Sequence, residues 1–252
     1  MRCEVTGKIA LVTGASRGIG KGIAIKLAEA GATVVINYLR RATQAENLVA
    51  EIEKRGGRAR AIRANVTNDK ELDEMFQVIN EEYGCLDILV SNAASGVFRP
   101  GTELSRRHWQ WTMEINAGSL LPLVQRAIPL MRAHGGHVVA VSSHGAVRAI
   151  PYYTAIGASK AALEAVVRHL AAELAPQNIH VNAVSSGVVD TDALKHFPNR
   201  EELLKESLRR TPAGRLTTPE DVADCVLFLV SPLSKMIHGQ TLTVDGGHMI
   251  LA

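Results

Sequence analysis

Long apolar runs are missing from this 252-residue chain, and so is any block of like charge. Its richest apolar stretch, 161–175, is broken by Glu164, Arg168, His169 and Glu173, whereas a membrane-spanning helix needs about 18 or more apolar residues in succession. Near the start, only Ile9, Ala10, Leu11 and Val12 precede Thr13-Gly14, too short a run for the core of a secretion signal. Cysteine is scarce. Cys3, Cys85 and Cys225 lie far apart and are odd in number, which argues against a disulfide framework and for a reducing cytoplasm. Aromatic residues are equally few, with four Phe, four Tyr and two Trp, and the net charge is only +3. No basic, aromatic-rich surface of the kind that binds nucleic acid is expected. Trp109 and Trp111 stand two apart, so on a helix they face different ways and are read as core or subunit packing. The nine histidines show no metal-ligand spacing: His134 and His137 flank Gly135-Gly136 without a third ligand, and are read as turn and strand-edge residues.

Aliphatic residues and glycine are what the chain has in quantity: 46% of it is hydrophobic, and 21 residues are glycine. That composition excludes disorder and suffices for one large core. Short β-branched runs at 8–13, 32–36, 58–64, 87–91, 137–142, 179–184 and 240–244 read as strands. Helical patterns fall between them at 18–30, 41–55, 68–83, 103–133, 153–174 and 218–230. Most of the strands are continuously apolar, as expected when helices cover both faces of a parallel sheet. The alternation predicts a single-domain, doubly wound α/β fold of the Rossmann type spanning 1–252. Only the polar, charged segment 190–215 breaks the rhythm, at a place where a lid over a site is expected.

The first strand runs into Thr13-Gly14-Ala15-Ser16-Arg17-Gly18-Ile19-Gly20, which opens a helix. Glycines in that setting let the backbone approach a pyrophosphate, whose charge suits the exposed N–H groups of a helix start. An NAD site usually places a carboxylate at the end of the second strand. This chain has Asn37-Tyr38-Leu39-Arg40-Arg41 instead. Arg40 and Arg41, with Arg17 opposite, are the residue types that hold a 2′-phosphate by charge-assisted hydrogen bonds, and NADPH is the expected cofactor.

Taken together, the Thr13 to Gly20 loop, Asn92-Ala93-Ala94, Ser142-Ser143, Tyr153 and Lys160, Ser186-Gly187 and Val244-Asp245-Gly246-Gly247 resemble the short-chain dehydrogenase/reductase family over nearly the whole chain. Ketone reductases of that family carry Tyr-x₃-Lys, but four residues before Lys160 stands Ile156. The nearest tyrosines are Tyr152 and Tyr153, and Tyr153 gives Tyr-x₆-Lys. That spacing is similar to the enoyl-acyl-carrier-protein reductases of bacterial fatty-acid synthesis. Longer strings, 92–100, 153–164 and 190–200, resemble their NADPH-dependent FabL type.

Positions seven apart on a helix differ by only about 20° in direction, so Tyr153 and Lys160 are expected on one face, about 10 Å apart along the axis. A phenol placed that far along suits the thioester oxygen of an enoyl substrate, where charge develops while hydride reaches the β-carbon. The resemblance implies that Lys160 binds the nicotinamide ribose and supports Tyr153. It also implies that Ser143 orients substrate, and that Asn65, Val66, Asn92, Val189 and Thr191 contact the cofactor alongside Gly14, Ser16, Gly18, Ile19 and Gly20. Ser143 is equally readable as a strand-end cap, and Asn116 as a proton relay or a bond to a neighbouring carbonyl. Val97, Phe98, Leu194 and Phe197 are candidate acyl-pocket residues. Lys195, Arg200, Lys205, Arg209 and Arg210 are candidate docking charges for an acidic acyl-carrier protein. A homotetramer is implied by family likeness. The alternatives are a ketoreductase for 3-oxoacyl or steroid substrates, which Ile156 opposes, and a non-catalytic NADPH-binding protein.

Overall fold

A computed structural model of the chain describes residues 4–251 except Arg132, and the backbone alone at His196; Cys3 lies outside the described residues. Seven parallel strands form one sheet in the order β3-β2-β1-β4-β5-β6-β7. They are β1 (Ile9–Val12), β2 (Thr33–Tyr38), β3 (Arg58–Arg63), β4 (Ile88–Ser91), β5 (Gly136–Ser143), β6 (Ile179–Ser186) and β7 (Thr241–Val244). The expected doubly wound architecture is therefore present. Strand order reverses between β1 and β4, and such a switch point opens a crevice at the carboxyl ends of the strands.

Alternate strand residues feed two cores. Leu11, Val35, Leu89, Val138 and Val181 meet α3 (Asp69–Tyr83), α5 (Leu120–Met131) and α6 (Thr154–Leu174) on one face. Val12, Val34, Ile36, Val90 and Val141 meet α1 (Gly18–Glu29), α2 (Ala42–Lys54) and α8 (Pro219–Leu229) on the other. Burial on both faces explains why β1 and β4 read as unbroken apolar or small-residue runs. Strand β6 is buried along its whole length but carries His180 and Asn182 among its apolar and small residues. The outermost strand β3 differs: Arg58, Arg60 and Arg63 are exposed, with Ala59 and Ala61 half-buried between them. Charged side chains of that kind keep an edge strand from pairing with another chain.

One expectation is corrected here. The segment read as one helix over 103–133 is instead α4 (Arg106–Met113), a π-helical turn at Glu114–Gly118 and α5. Ser105 accepts a hydrogen bond from the His108 N–H and starts α4 there. The wide turn then places Asn116 inward, where it is buried. His134 lies in a turn and His137 is the second residue of β5, as expected, with β5 between β4 and β6.

His137 stacks on His180 at 4.7 Å, and His180 stacks on His238 at 4.3 Å. The three Nδ1 atoms are buried without hydrogen-bond partners among the described residues. Burial pushes His137 down to about 4, and His180 and Lys8 add to the effect against Asp87 and a bond to the Leu229 backbone. The unfolded chain therefore binds the extra proton first. Stability is expected to fall as pH drops from about 6.5 to about 4, by about 3 kcal/mol for this group. Urea unfolding at several pH values checks this, and His137→Gln should flatten the dependence.

Candidate active site

A cavity of about 900 Å³ opens at the switch point, lined from the glycine loop to the C-terminal tail. At its nucleotide end, Gly14 has φ +61°, and a Cβ there would lie 2.9 Å from the Ala93 Cα. A Cβ on Gly20 would lie 2.5 Å from the Asn92 amide nitrogen. Glycine is required at both places. The loop is braced from neighbouring strand ends: Gly14 N–H donates to Asn37 Oδ1 at 3.2 Å, and the Asn92 amide donates to the Thr13 carbonyl at 2.8 Å. Thr13 Oγ1 accepts from the N–H groups of Asn92 and Ala93. Sequence reading missed Asn37 and Thr13. An Asn at a strand end and a Thr before the glycines were the available signals.

Gly14, Ser16, Arg17, Gly18, Ile19, Gly20, Arg40, Arg41, Asn65, Val66, Asn92, Val189 and Thr191 all line this cavity, as do Ser143, Tyr153 and Lys160. The glycine cradle, the helix start beyond it and the lack of a carboxylate at the end of β2 fit a phosphorylated dinucleotide. Arg17 and Arg41 both face Asp192, with Nη1 to Oδ2 distances of 3.5 and 3.4 Å.

Tyr153 does not lie on α6 as expected. It precedes the first helical residue, Thr154, with φ −113° and ψ 9°, so sharing a helix face does not explain its place. Its neighbours do: a Cβ on Gly145 would meet the Tyr153 ring at 2.5 Å, and Phe98 stacks on the ring at 6.1 Å. The Tyr153 hydroxyl donates to Ser143 Oγ at 3.2 Å. Gly145 N–H donates to the same oxygen at 3.2 Å, which leaves the Ser143 proton available to a third group. Burial pushes the Tyr153 phenol up, and the bond to Ser143 opposes that. Tyr152 is the exposed neighbour, with φ +62°.

Lys160 is buried on α6 and donates from Nζ to the Val141 carbonyl at 2.7 Å. Burial holds it down at about 8, against the pull of Glu164. Glu164 is itself buried and accepts from the Ser142 hydroxyl at 2.5 Å. Asn116 bonds between segments rather than to a neighbouring carbonyl. Its Oδ1 accepts from the Ser95 N–H at 2.8 Å, and its amide donates to Ser159 Oγ at 2.9 Å, tying the loop after β4 to α6. Ile156 is buried, and its side chain fills the space that a Cβ on Gly96 would need.

At the substrate end, Leu194 and Phe197 line the cavity while Val97 and Phe98 do not; Phe98 instead packs between Tyr153 and Phe197. Trp109 and Trp111 are exposed rather than core residues, and Trp111 lines the cavity. The segment 190–215 contributes to the cavity wall through a 3₁₀ turn at Asp192–His196 and α7 (Arg200–Arg209). Three of the candidate docking charges are already paired: Lys195 with Asp192, Arg200 with Asp190 and Arg209 with Glu206. Arg210 lines the cavity. Sequence reading also missed His144 and His248, which stack at 5.5 Å along the cavity wall, with His144 Nε2 3.3 Å from the Asp245 carboxylate.

A dinucleotide cradle leading to a tyrosine–serine pair and a buried lysine defines a nicotinamide-dependent oxidoreductase. A family profile described as enoyl-(acyl carrier protein) reductase matches residues 14–249. A 1-cyclohexenylcarbonyl-CoA reductase of Streptomyces collinus is 41% identical over 97% of this chain and 88% of its own. A hydroxynaphthalene reductase-like protein of Metarhizium robertsii is 38% identical over 97% of this chain and 96% of its own. A solved 7α-hydroxysteroid dehydrogenase in complex with NADH and 7-oxo glycochenodeoxycholic acid superposes with a TM-score of 0.93, at 37% identity, over 97% of this chain and 95% of that one. The chain belongs to the short-chain dehydrogenase/reductase family. No helix among the described residues is long and apolar enough to cross a membrane.

Proposed function

We propose that the protein uses NADPH to reduce the carbon–carbon double bond of trans-2-enoyl thioesters, carried on acyl-carrier protein in cytoplasmic type II fatty-acid synthesis, as a homotetramer. The observation that carries this reading is the replacement of the usual tyrosine by buried Ile156, with Tyr153 reaching the cavity from before the helix. When bound, the nicotinamide supplies the hydride that the β-carbon accepts. As the π electrons move to the thioester oxygen, the Tyr153 hydroxyl donates to that oxygen and Ser143 offers its remaining proton beside it. Tyr153 or water then protonates the α-carbon. Lys160 holds the ribose hydroxyls, and its charge favours the developing anion. Arg17, Arg40 and Arg41 meet the 2′-phosphate. The family profile and the Streptomyces collinus reductase support an enoyl thioester.

The 3.2 Å bond between Tyr153 and Ser143 favours a second reading, reduction of a carbonyl. NADPH oxidation followed with a crotonyl thioester and, separately, an acetoacetyl thioester separates the two. Saturable turnover of the first with little of the second is expected. The reverse pattern would make the protein a ketoreductase, and turnover of neither would leave a dinucleotide-binding role alone.

A further inference from the structure

Asp192 stands where no carboxylate was expected. The end of β2 lacks the acidic residue of an NAD site, yet an acid reaches the nearby arginines from across the cavity. Arg17 sits on the glycine loop before α1, Arg41 sits before α2, and both approach one oxygen of Asp192 at 3.5 and 3.4 Å. Lys195 holds the other oxygen at 2.5 Å. Arg17, Arg41 and Asp192 line the same cavity.

We infer that Asp192 sets discrimination between phosphorylated and unphosphorylated dinucleotides by competing with the 2′-phosphate for Arg17 and Arg41. The inference rests on the proposed phosphate role of these arginines. At 3.4–3.5 Å the pairs are long and partly exposed, so a phosphate with more charge and more acceptor oxygens displaces the carboxylate. An unphosphorylated ribose brings no anion and leaves the contact standing. Thr191 packs near the glycine loop, its Cγ2 3.5 Å from where a Cβ on Gly18 would lie.

The test measures binding of 2′,5′-ADP and 5′-AMP by calorimetry, so that hydride chemistry plays no part. Asp192→Asn is expected to tighten 2′,5′-ADP by about three- to tenfold, while 5′-AMP moves by less than about twofold. In an Arg41→Ala background the gain should shrink. Unchanged or weaker 2′,5′-ADP binding by Asp192→Asn, with Arg41→Ala still harmful, overturns this inference alone. If Arg41→Ala leaves 2′,5′-ADP binding intact, the phosphate reading falls with it. Weaker 5′-AMP binding in Asp192→Asn would instead make Asp192 a ribose acceptor and overturn the competition.

Discussion

Replacing Tyr153 by phenylalanine is expected to lower kcat and kcat/KM together by about a hundred- to a thousandfold, with NADPH affinity nearly unchanged. The change removes one hydroxyl and leaves the ring against Phe98 and Gly145. The fold should persist, since the one hydrogen bond described for that hydroxyl goes to Ser143. An interaction made chiefly in the transition state lowers both constants when it is lost. Ser143→Ala should cost less, because Tyr153 still faces the substrate oxygen. Tyr152→Phe should do little, because that side chain is exposed at a left-handed backbone position. Steady-state kinetics and cofactor titration of the three variants check the order. If Tyr152→Phe proves the most damaging, the assignment of the proton donor is wrong.

The fold was legible because a parallel sheet covered on both faces leaves most of its strands largely apolar, as in β1 and β4. The glycine loop was legible for a related reason: its requirements are local. Where contacts between distant segments decide, the sequence was silent. Spacing alone put Tyr153 on a helix, yet Gly145 and Phe98 fix its place from other loops. Asp192 meets Arg41 across 151 residues of chain, and no pattern along the sequence links them. The π-helical turn at Glu114–Gly118 hides inside a helical pattern for the same reason: the Ser159 that Asn116 bonds comes 43 residues later.

Lys160→Met should remove two pH dependences of opposite sign. Lys160 is buried and held at about 8, below its ordinary 10.5. Between those two values the unfolded chain binds the proton and the folded one does not. Stability of the unmodified protein should therefore rise as pH increases from about 8 to about 10.5, by about 3 kcal/mol from this group. Below pH 8 the lysine is charged in both states, and its contribution is flat. Catalysis runs the other way, because the charged lysine is the form that holds ribose hydroxyls and favours the anion. In the free enzyme kcat/KM should fall as pH rises through about 8. Two charge-assisted bonds at about 1.5–3 kcal/mol each set the loss in Lys160→Met at about a hundredfold or more in kcat/KM. Unlike Tyr153→Phe, the variant should also bind NADPH more weakly. Methionine keeps most of the volume but leaves Glu164 without its buried cation, so chemical unfolding must be measured beside the kinetics. If both alkaline limbs survive in Lys160→Met, another group titrates there and the lysine is not the source of either.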